Sequence, residues 1–223
     1  MPVTRLRWVD RSGDHLGFVG EPGSFIDPAV SPDGRQVAAA RRDSATGTTD
    51  IVVYDLKTGA SSAVTNHPDS EDRPVWLPDG TSVLFATNRH GSSAVYSRAI
   101  KGEAESRVDG ADNAAPLDCW RDGKRFLVSN GFSILALSLD NSRMATPVFE
   151  RVNNQGHFRL SPDGRWIAYD VNRSANESSV YDVYVRETAR AGSIPTKISE
   201  NGGMEPRWGP DGRELFYVAG GRR

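Results

Sequence analysis

The sequence predicts an all-β chain built from five repeated units of four antiparallel strands, and three observations support this fold class. A turn motif recurs along the chain, an apolar strand follows each turn, and no segment shows the sustained 3.6-residue apolar period of a helix. The motif first reads Ser31-Pro32-Asp33-Gly34, and its glycines follow at intervals of 46, 43, 41 and 48 residues. Such self-similarity is typical of a β-propeller, in which each repeat forms one blade, or of a solenoid.

The turn motif predicts a tight hairpin loop. Its proline fixes φ at the first corner, its aspartate suits the second, and its glycine accepts the left-handed position that follows. The motif recurs as Leu77–Gly80, Trp120–Gly123, Ser161–Gly164 and Gly209–Gly212. The copy at Trp120–Gly123 is degenerate, because it lacks the proline. We therefore expect each motif to join the first and second strands of a unit.

The strand after each turn should be buried on both faces, because it is a continuous apolar run. These second strands contain Val37–Ala39, Val83–Phe85, Phe126–Val128, Ile167–Tyr169 and Leu215–Tyr217. Another apolar column stands four residues before the glycines, at Val30, Trp76, Cys119, Leu160 and Trp208. A third apolar strand and a shorter, more polar fourth strand complete the unit, as expected for an outer edge that faces solvent.

The two chain ends are expected to supply complementary halves of one unit. Leu6–Gly13 aligns without gaps on Val52–Gly59, so the N-terminus provides a third and a fourth strand. After its last turn the chain has one further strand, Glu214–Val218. Residues 1–223 are therefore predicted to form one domain, a five-bladed β-propeller of four-stranded antiparallel blades with two-plus-two closure, in which Leu6–Val9 pairs beside this last strand. An incomplete six-bladed propeller is the alternative.

Charge and composition exclude several classes of partner. Lys and Arg total 27 against 29 Asp and Glu, and this balance argues against nucleic acid. Cys119 is the only cysteine, so neither an intramolecular disulfide nor a cysteine-rich zinc site is expected. No apolar run approaches the ~18 residues of a transmembrane segment. We expect a monomer that has no cofactor and no metal.

Several motifs carry a family resemblance over nearly the whole chain, and they are Arg7–Gly13, Gly20–Gly23, Ser31–Gly34, Ser161–Tyr169 and Pro206–Trp208. They resemble the Pro-Asp-Gly propeller repeats of TolB, the periplasmic component of the Tol-Pal system, and the propellers of prolyl-oligopeptidase-type enzymes. The strongest likeness is to the propeller region linked to bacterial membrane serine/threonine kinases. TolB-type propellers usually have six blades, whereas five turns are present here. Kinase-linked relatives usually continue past the point where this chain stops.

The sequence contains no recognisable catalytic motif. It lacks the Gly-x-Ser-x-Gly elbow of the oligopeptidases, a phosphate-binding loop and a zinc-protease helix. The oxygen-rich loop Asp170–Asn176 has alternate ligands like a calcium loop, but it lacks the turn glycine and closing glutamate, which favours a polar hairpin loop. We expect Cys119 to be a structural core residue.

One set of charged residues is a candidate ligand-binding site, because the loops before the inner strands of a propeller converge on its axis. The set comprises Asp27, Arg73, His157, Arg159, Glu205 and Arg207, with Asp72 beside them. Its arginines could bind a carboxylate and its acids an amine, which suits a zwitterionic or peptide-like ligand. His157 could make binding sensitive to pH. The alternative is a self-neutralising ring of charges at a wet channel.

The sequence thus favours a non-enzymatic binding or scaffolding module with a protein or peptide partner, in a bacterial envelope or signalling context. One alternative is a sensor or substrate-gating domain of a larger kinase or peptidase. Another is a propeller enzyme that acts at the axial mouth. The resemblance implies a periplasmic or extracytoplasmic location, whereas the lack of an apolar segment after Met1 implies a cytoplasmic one if the chain is the whole gene product.

Overall fold

The computed structural model describes residues 4–140, 144–152, 154–173, 180–189 and 192–219. Every regular helix or strand element in these ranges is a β-strand. The strands form four four-stranded sheets and two two-stranded sheets. The chain divides into two compact units, Met1–Pro116 and Leu117–Arg223. The described ranges contain no helix with the length and hydropathy that crossing a membrane requires.

The first unit holds a two-stranded sheet and two blades. The sheet pairs β1 (Thr4–Val9) with β2 (His15–Gly23). Blade 1 consists of β3 (Phe25–Val30), β4 (Gln36–Arg42), β5 (Thr49–Asp55) and β6 (Ser61–Ala63). Blade 2 consists of β7 (Glu71–Trp76), β8 (Ser82–Thr87), β9 (Ala94–Ala99) and β10 (Glu105–Asp112).

The second unit has the same parts in the opposite order, and β11 crosses its boundary. Blade 3 consists of β11 (Ala115–Cys119), β12 (Arg125–Ser129), β13 (Ile134–Ser138) and β14 (Ala145–Phe149). Blade 4 consists of β15 (Gln155–Leu160), β16 (Trp166–Asn172), β17 (Tyr181–Glu187) and β18 (Thr196–Lys197). A two-stranded sheet, β19 (Gly203–Trp208) with β20 (Leu215–Ala219), follows. The prediction of four-stranded antiparallel blades is confirmed.

The five turns form as the motif predicts. In each, the amide of the glycine donates to the carbonyl oxygen three residues earlier, for example from Gly34 to Ser31 at 2.9 Å. The aspartate side chain closes the turn further, because Asp33 Oδ1 accepts from Ser31 Oγ at 2.6 Å and from the Arg35 amide at 3.0 Å. These hydrogen bonds lower the pKa of Asp33, with that from Ser31 the largest cause.

The second strands of the four blades are buried on both faces, as predicted, and the last one is not. Phe85 and Phe126 have no exposed surface, whereas Phe216 on β20 is 42% exposed. The difference arises because the sheet β19–β20 has only two strands. In the column before the turns, Trp76 is likewise buried, while Val30 is 57% exposed.

Tryptophans of this column connect the inner strands of successive repeats. Trp76 donates from Nε1 to the carbonyl oxygen of Ala29 at 2.9 Å, within the first unit. Trp208 makes the equivalent bond to Arg159 at 3.1 Å, within the second. Each bond is part-buried and supplies a donor to a carbonyl oxygen of the neighbouring inner strand.

The gapless alignment of the N-terminus is wrong by one residue within the strands. The loop after β1 is closed by a bond from the Asp10 amide to Asp14, while the corresponding loop after β5 runs from Asp55 to Ala60. The shorter loop moves β1 by one residue relative to β5. A register shift between the Trp8–Gly17 and Val9–His15 pairs then moves β2 likewise, so that Val19 takes the place of Val64 rather than that of Thr65. A one-residue shift exchanges the two faces of a strand. The shift turns Leu6 and Val19 onto blade 1, where they pack with a cluster formed by Val37, Val52 and Tyr54.

The predicted fifth four-stranded blade stays a prediction, since β1 belongs to one two-stranded sheet and β20 to another. In the oxygen-rich loop, residues 174–176 lie outside the described residues. Asp170, at the start of that loop, is fully buried in β16.

Candidate functional site

Four of the six candidate residues share an unusual backbone conformation. Asp27, Arg73, His157 and Glu205 have φ values of 52°, 52°, 47° and 54°. Each lies seven residues before its turn glycine, where the pairing of the inner strand shifts by one residue. The extra residue makes a β-bulge that re-aims its side chain. A left-handed residue other than glycine costs about 1–2 kcal/mol, and such strain is concentrated at functional sites.

In the first unit the bulges bring three charges together. Asp72 precedes the bulge residue Arg73 on β7, and Asp27 occupies the bulge of β3. Burial raises the pKa of Asp72, the Arg73 guanidinium opposes this shift, and the Asp27 carboxylate adds to it. Asp27 and Arg73 are exposed, so both can contact a ligand.

In the second unit Arg159 and Arg207 occupy equivalent positions on β15 and β19. Arg159 Nη1 donates to the carbonyl oxygens of Phe158 at 2.7 Å and Leu117 at 2.9 Å. Arg207 Nη1 donates to Pro206 at 2.9 Å. Both residues are half-buried, and the backbone bonds fix the direction of each guanidinium.

Sequence reasoning missed Asp118, which lies five residues before its turn glycine, as Arg159 and Arg207 do. Its carboxylate accepts from the Cys119 amide and from the Leu160 amide, both at 2.8 Å. Burial raises the pKa of Asp118, while Arg159 and, more weakly, Arg207 act in the opposite direction. Counting five residues back from each turn glycine would have found this acid.

Asp170 is the second residue that sequence reasoning missed as part of the site. Its Oδ2 lies 2.7 Å from His157 Nδ1 and accepts from the Glu205 amide at 2.8 Å. One buried carboxylate therefore contacts the bulge residues of two inner strands. The hydrogen bond to Asp170 raises the pKa of His157 most, burial opposes this, and the charges of Asp170 and Glu205 add to it.

The structure places the six predicted residues in two groups. Asp27 and Arg73 lie in the first unit, and His157, Arg159, Glu205 and Arg207 in the second. Within the second unit, the His157–Asp170–Glu205 contacts join two of the predicted residues directly. Convergence of all six on one mouth stays a prediction. Among the described residues, no group of three or more His, Cys, Asp or Glu side chains could hold a metal.

Comparison with known proteins gives the family. The family profile described as the TolB beta propeller domain matches residues 12–175. The chain is 26% identical over 203 residues to the "Uncharacterized peptidase YuxL" of Bacillus subtilis, covering 88% of this chain and 29% of that protein. It is 22% identical over 172 residues to the Tol-Pal system protein TolB of Helicobacter pylori, covering 74% of this chain and 41% of that protein. The chain thus spans less than half the length of either relative.

Solved structures share the fold. TolB from Acinetobacter baumannii superposes with a TM-score of 0.75 at 21% identity, covering 93% of this chain and 52% of that one. A putative TolB from Agrobacterium tumefaciens gives a TM-score of 0.71 at 19% identity, covering 96% and 90%. A structure of prolyl endopeptidases gives 0.54 at 16% identity, covering 92% and 35%. With its repeated four-stranded blades and its matched family profile, the chain belongs to the TolB β-propeller domain family.

Proposed function

We propose that the chain is a non-enzymatic binding module for a protein or peptide segment that carries both charge signs. The observation that supports this most is the recurrence of charged, left-handed bulge residues at one position of four inner strands. A conserved backbone geometry with a different side chain in each repeat is suited to recognition. The relatives named as Tol-Pal system proteins favour a bacterial envelope context.

The charges suit a peptide with a carboxylate and an amine. Arg159 and Arg207 offer forked donors to a carboxylate, and their backbone bonds reduce the entropy lost on binding. Asp27 and Glu205 are exposed acids that can accept from an amine. A polyanion would be repelled by these carboxylates.

A second candidate function is a sensor or substrate-gating domain of a larger peptidase or kinase. The likeness to a relative named as a peptidase, of which this chain covers 29%, supports the peptidase form. A propeller enzyme acting on its own is the third candidate. The test is to incubate the chain with a panel of peptide esters and lactones. Turnover that disappears in the Arg159→Ala variant would reveal such an activity.

We also propose that residues 1–223 close into one five-bladed domain through a ladder between β1 and β20. The β4–β5 ladder pairs Ala38 with Val53. In the corrected register the equivalent residues are Phe216 on β20 and Trp8 on β1, which should therefore face each other. Both side chains are about two-fifths exposed in their two-stranded sheets. A ladder would pair the outer strands of the two two-stranded sheets and cover both side chains.

Binding is tested with a library of N-acetylated pentapeptides and a triple variant, Arg73→Ala, His157→Ala and Arg207→Ala. We expect the triple variant to lose at least about tenfold in affinity, since charge-assisted hydrogen bonds contribute about 1.5–3 kcal/mol each. The control replaces Arg35, Arg165 and Arg213, the exposed arginines that follow three turn glycines, and should bind as the parent does. Binding that survives in the first triple variant and falls in the control would move the binding surface to the turns.

A further inference from the structure

Asp170 is a buried carboxylate at a position where other repeats need none. Six residues after the turn glycine, blades 1 and 2 have Ala40 and Ala86, both buried. Asp170 has no exposed surface, and its Oδ1 atom has no hydrogen-bond partner among the described residues. Burying a carboxylate is strongly unfavourable unless hydrogen bonds and charges compensate it. Packing of the blade therefore does not account for this residue.

The surroundings of Asp170 are built to accommodate it. Gly156 precedes the bulge, and a Cβ atom at that position would lie 3.0 Å from Asp170 Oδ1. The left-handed conformation of His157 brings its Nδ1 within 2.7 Å of Asp170 Oδ2. The amide of Glu205 on the neighbouring inner strand completes the arrangement at 2.8 Å. Three independent features thus converge on one carboxylate.

The result for His157 is a partly exposed ring that is held through one of its two nitrogens. Nδ1 is engaged by Asp170, while the side chain is 45% exposed and Nε2 has no hydrogen-bond partner among the described residues. When a carboxylate accepts from Nδ1, the tautomer and ring orientation are set and Nε2 is left available to a ligand. The charged groups that face the ring are Asp170 on β16, Glu205 on β19 and Arg159 on its own strand.

From this geometry we propose that the His157–Asp170 pair is a proton-dependent docking point for a ligand carboxylate, which accepts a hydrogen bond from protonated His157 Nε2. The inference rests on the proposed binding function and names the group recognised at that site and the condition under which it binds. Asp170 is a positioning residue, since it acts through His157. Arg159 provides a second donor on the same strand for the same carboxylate.

The proposal makes binding stronger at low pH. Protonated His157 donates from both ring nitrogens, to Asp170 and to the ligand, whereas the neutral ring bound to Asp170 through Nδ1–H presents an acceptor at Nε2. That acceptor lone pair repels a carboxylate. A peptide amide lacks the negative charge, so its binding should depend much less on this proton.

The experiment compares two libraries of N-acetylated pentapeptides, one with a free C-terminal carboxylate and one with a C-terminal amide, at pH 6.0 and pH 8.0. We expect carboxylate peptides to bind the parent about tenfold more tightly at pH 6.0, and the amides to show no such difference. His157→Asn, which keeps a residue tolerant of left-handed φ, and Asp170→Ala, which copies blades 1 and 2, should both abolish this pH effect. Asp163→Ala, in the turn of the same blade, should retain it.

The outcomes separate this inference from the proposed function. Carboxylate peptides that bind equally at both pH values, or a pH effect that persists in Asp170→Ala, would overturn the docking role while leaving the binding module intact. Absence of binding by any peptide to the parent at either pH would overturn both. Circular dichroism of each variant checks that it is folded, and the NMR titration of the His157 Hε1 proton should shift to lower pH in Asp170→Ala.

Discussion

The indole Nε1 of Trp120 lies 3.4 Å from the carbonyl oxygen of Gly164, which stands 44 residues further along the chain. The same carbonyl accepts from Thr188 Oγ1 at 2.7 Å. A Cβ atom on Gly164 would lie 2.5 Å from the indole ring, closer than real Cβ contacts allow. The turn of blade 4 is therefore packed against a side chain from the degenerate turn of blade 3.

This contact can be isolated with a matched pair of glycine variants. Gly34 and Gly164 occupy identical Ser-Pro-Asp-Gly turns with φ of 70° and 69°, but a Cβ at Gly34 would meet nothing within 4 Å. We expect Gly34→Ala to lose about 1–2 kcal/mol of unfolding free energy from backbone strain alone. Gly164→Ala should lose a further 1–3 kcal/mol or so through overpacking against Trp120. Urea unfolding measures the loss of unfolding free energy in both variants. Equal losses would show that the Trp120 indole moves aside without a cost in stability.

The bond from Trp76 to Ala29 should contribute to the stability of the first unit. Trp76→Phe removes the Nε1 donor and part of the ring volume, and we expect a loss of about 2 kcal/mol because the Ala29 carbonyl loses its partner. Trp166→Phe is the control, since Trp166 is 36% exposed and should change stability by about 0.5 kcal/mol or less. A Trp76→Phe variant as stable as this control would mean that the bond contributes nothing net.

The His157–Asp170 pair should make stability depend on pH. Because the pKa of His157 is raised on folding, its contribution is fully present below the unfolded value of about 6.5 and is lost as pH rises through the folded value. The Tm difference between the parent and His157→Asn should therefore shrink between pH 6 and pH 8.5. In an Asp170→Ala background that shrinkage should disappear. A Tm difference that stays constant or grows with pH would show that the His157–Asp170 contact does not stabilise the fold in this way.

Closure of the chain can be tested by cross-linking. In a Cys119→Ser background, Trp8→Cys with Phe216→Cys should form a disulfide on oxidation, since residues opposite in an antiparallel ladder have Cα atoms about 4.5–5.5 Å apart. The pair Arg7→Cys with Phe216→Cys tests the gapless register instead, and we expect it to form little disulfide. Non-reducing gel mobility and peptide mapping identify the product. If neither pair forms an intramolecular disulfide, the two-plus-two closure is wrong.

Sequence reasoning succeeded where a local motif determines the conformation. The turn glycines and the buried second strands follow from residue types at fixed spacing, so five turns and four complete blades could be predicted. It failed at β1, because Asp10–Gly13 and Asp55–Gly59 look alike although the loops differ by one residue. A gapless alignment cannot show where a loop is shorter, and only the hydrogen bond from Asp10 to Asp14 reveals it.

The candidate site was predicted in part for the same reason. Charged residues before the inner strands could be listed, but their left-handed conformation depends on a bulge that no sequence pattern marks. The polar neighbours of Asp170 predict a polar loop, whereas the residue lies buried in β16. Comparison with Ala40 and Ala86 at the same repeat position would have marked it as exceptional. Its contact with the Glu205 amide joins strands 35 residues apart and cannot be inferred from spacing.

The shared bulge has a consequence for how this surface can diversify. All four positions already carry the conformational cost of a left-handed residue, so exchanging one side chain for another adds little to it. Substitution at Asp27, Arg73 or Glu205 should therefore leave the blades unchanged, whereas substitution of His157 also removes its contact with Asp170. Selection can therefore change the ligand-binding chemistry of this surface one substitution at a time without a change in the fold.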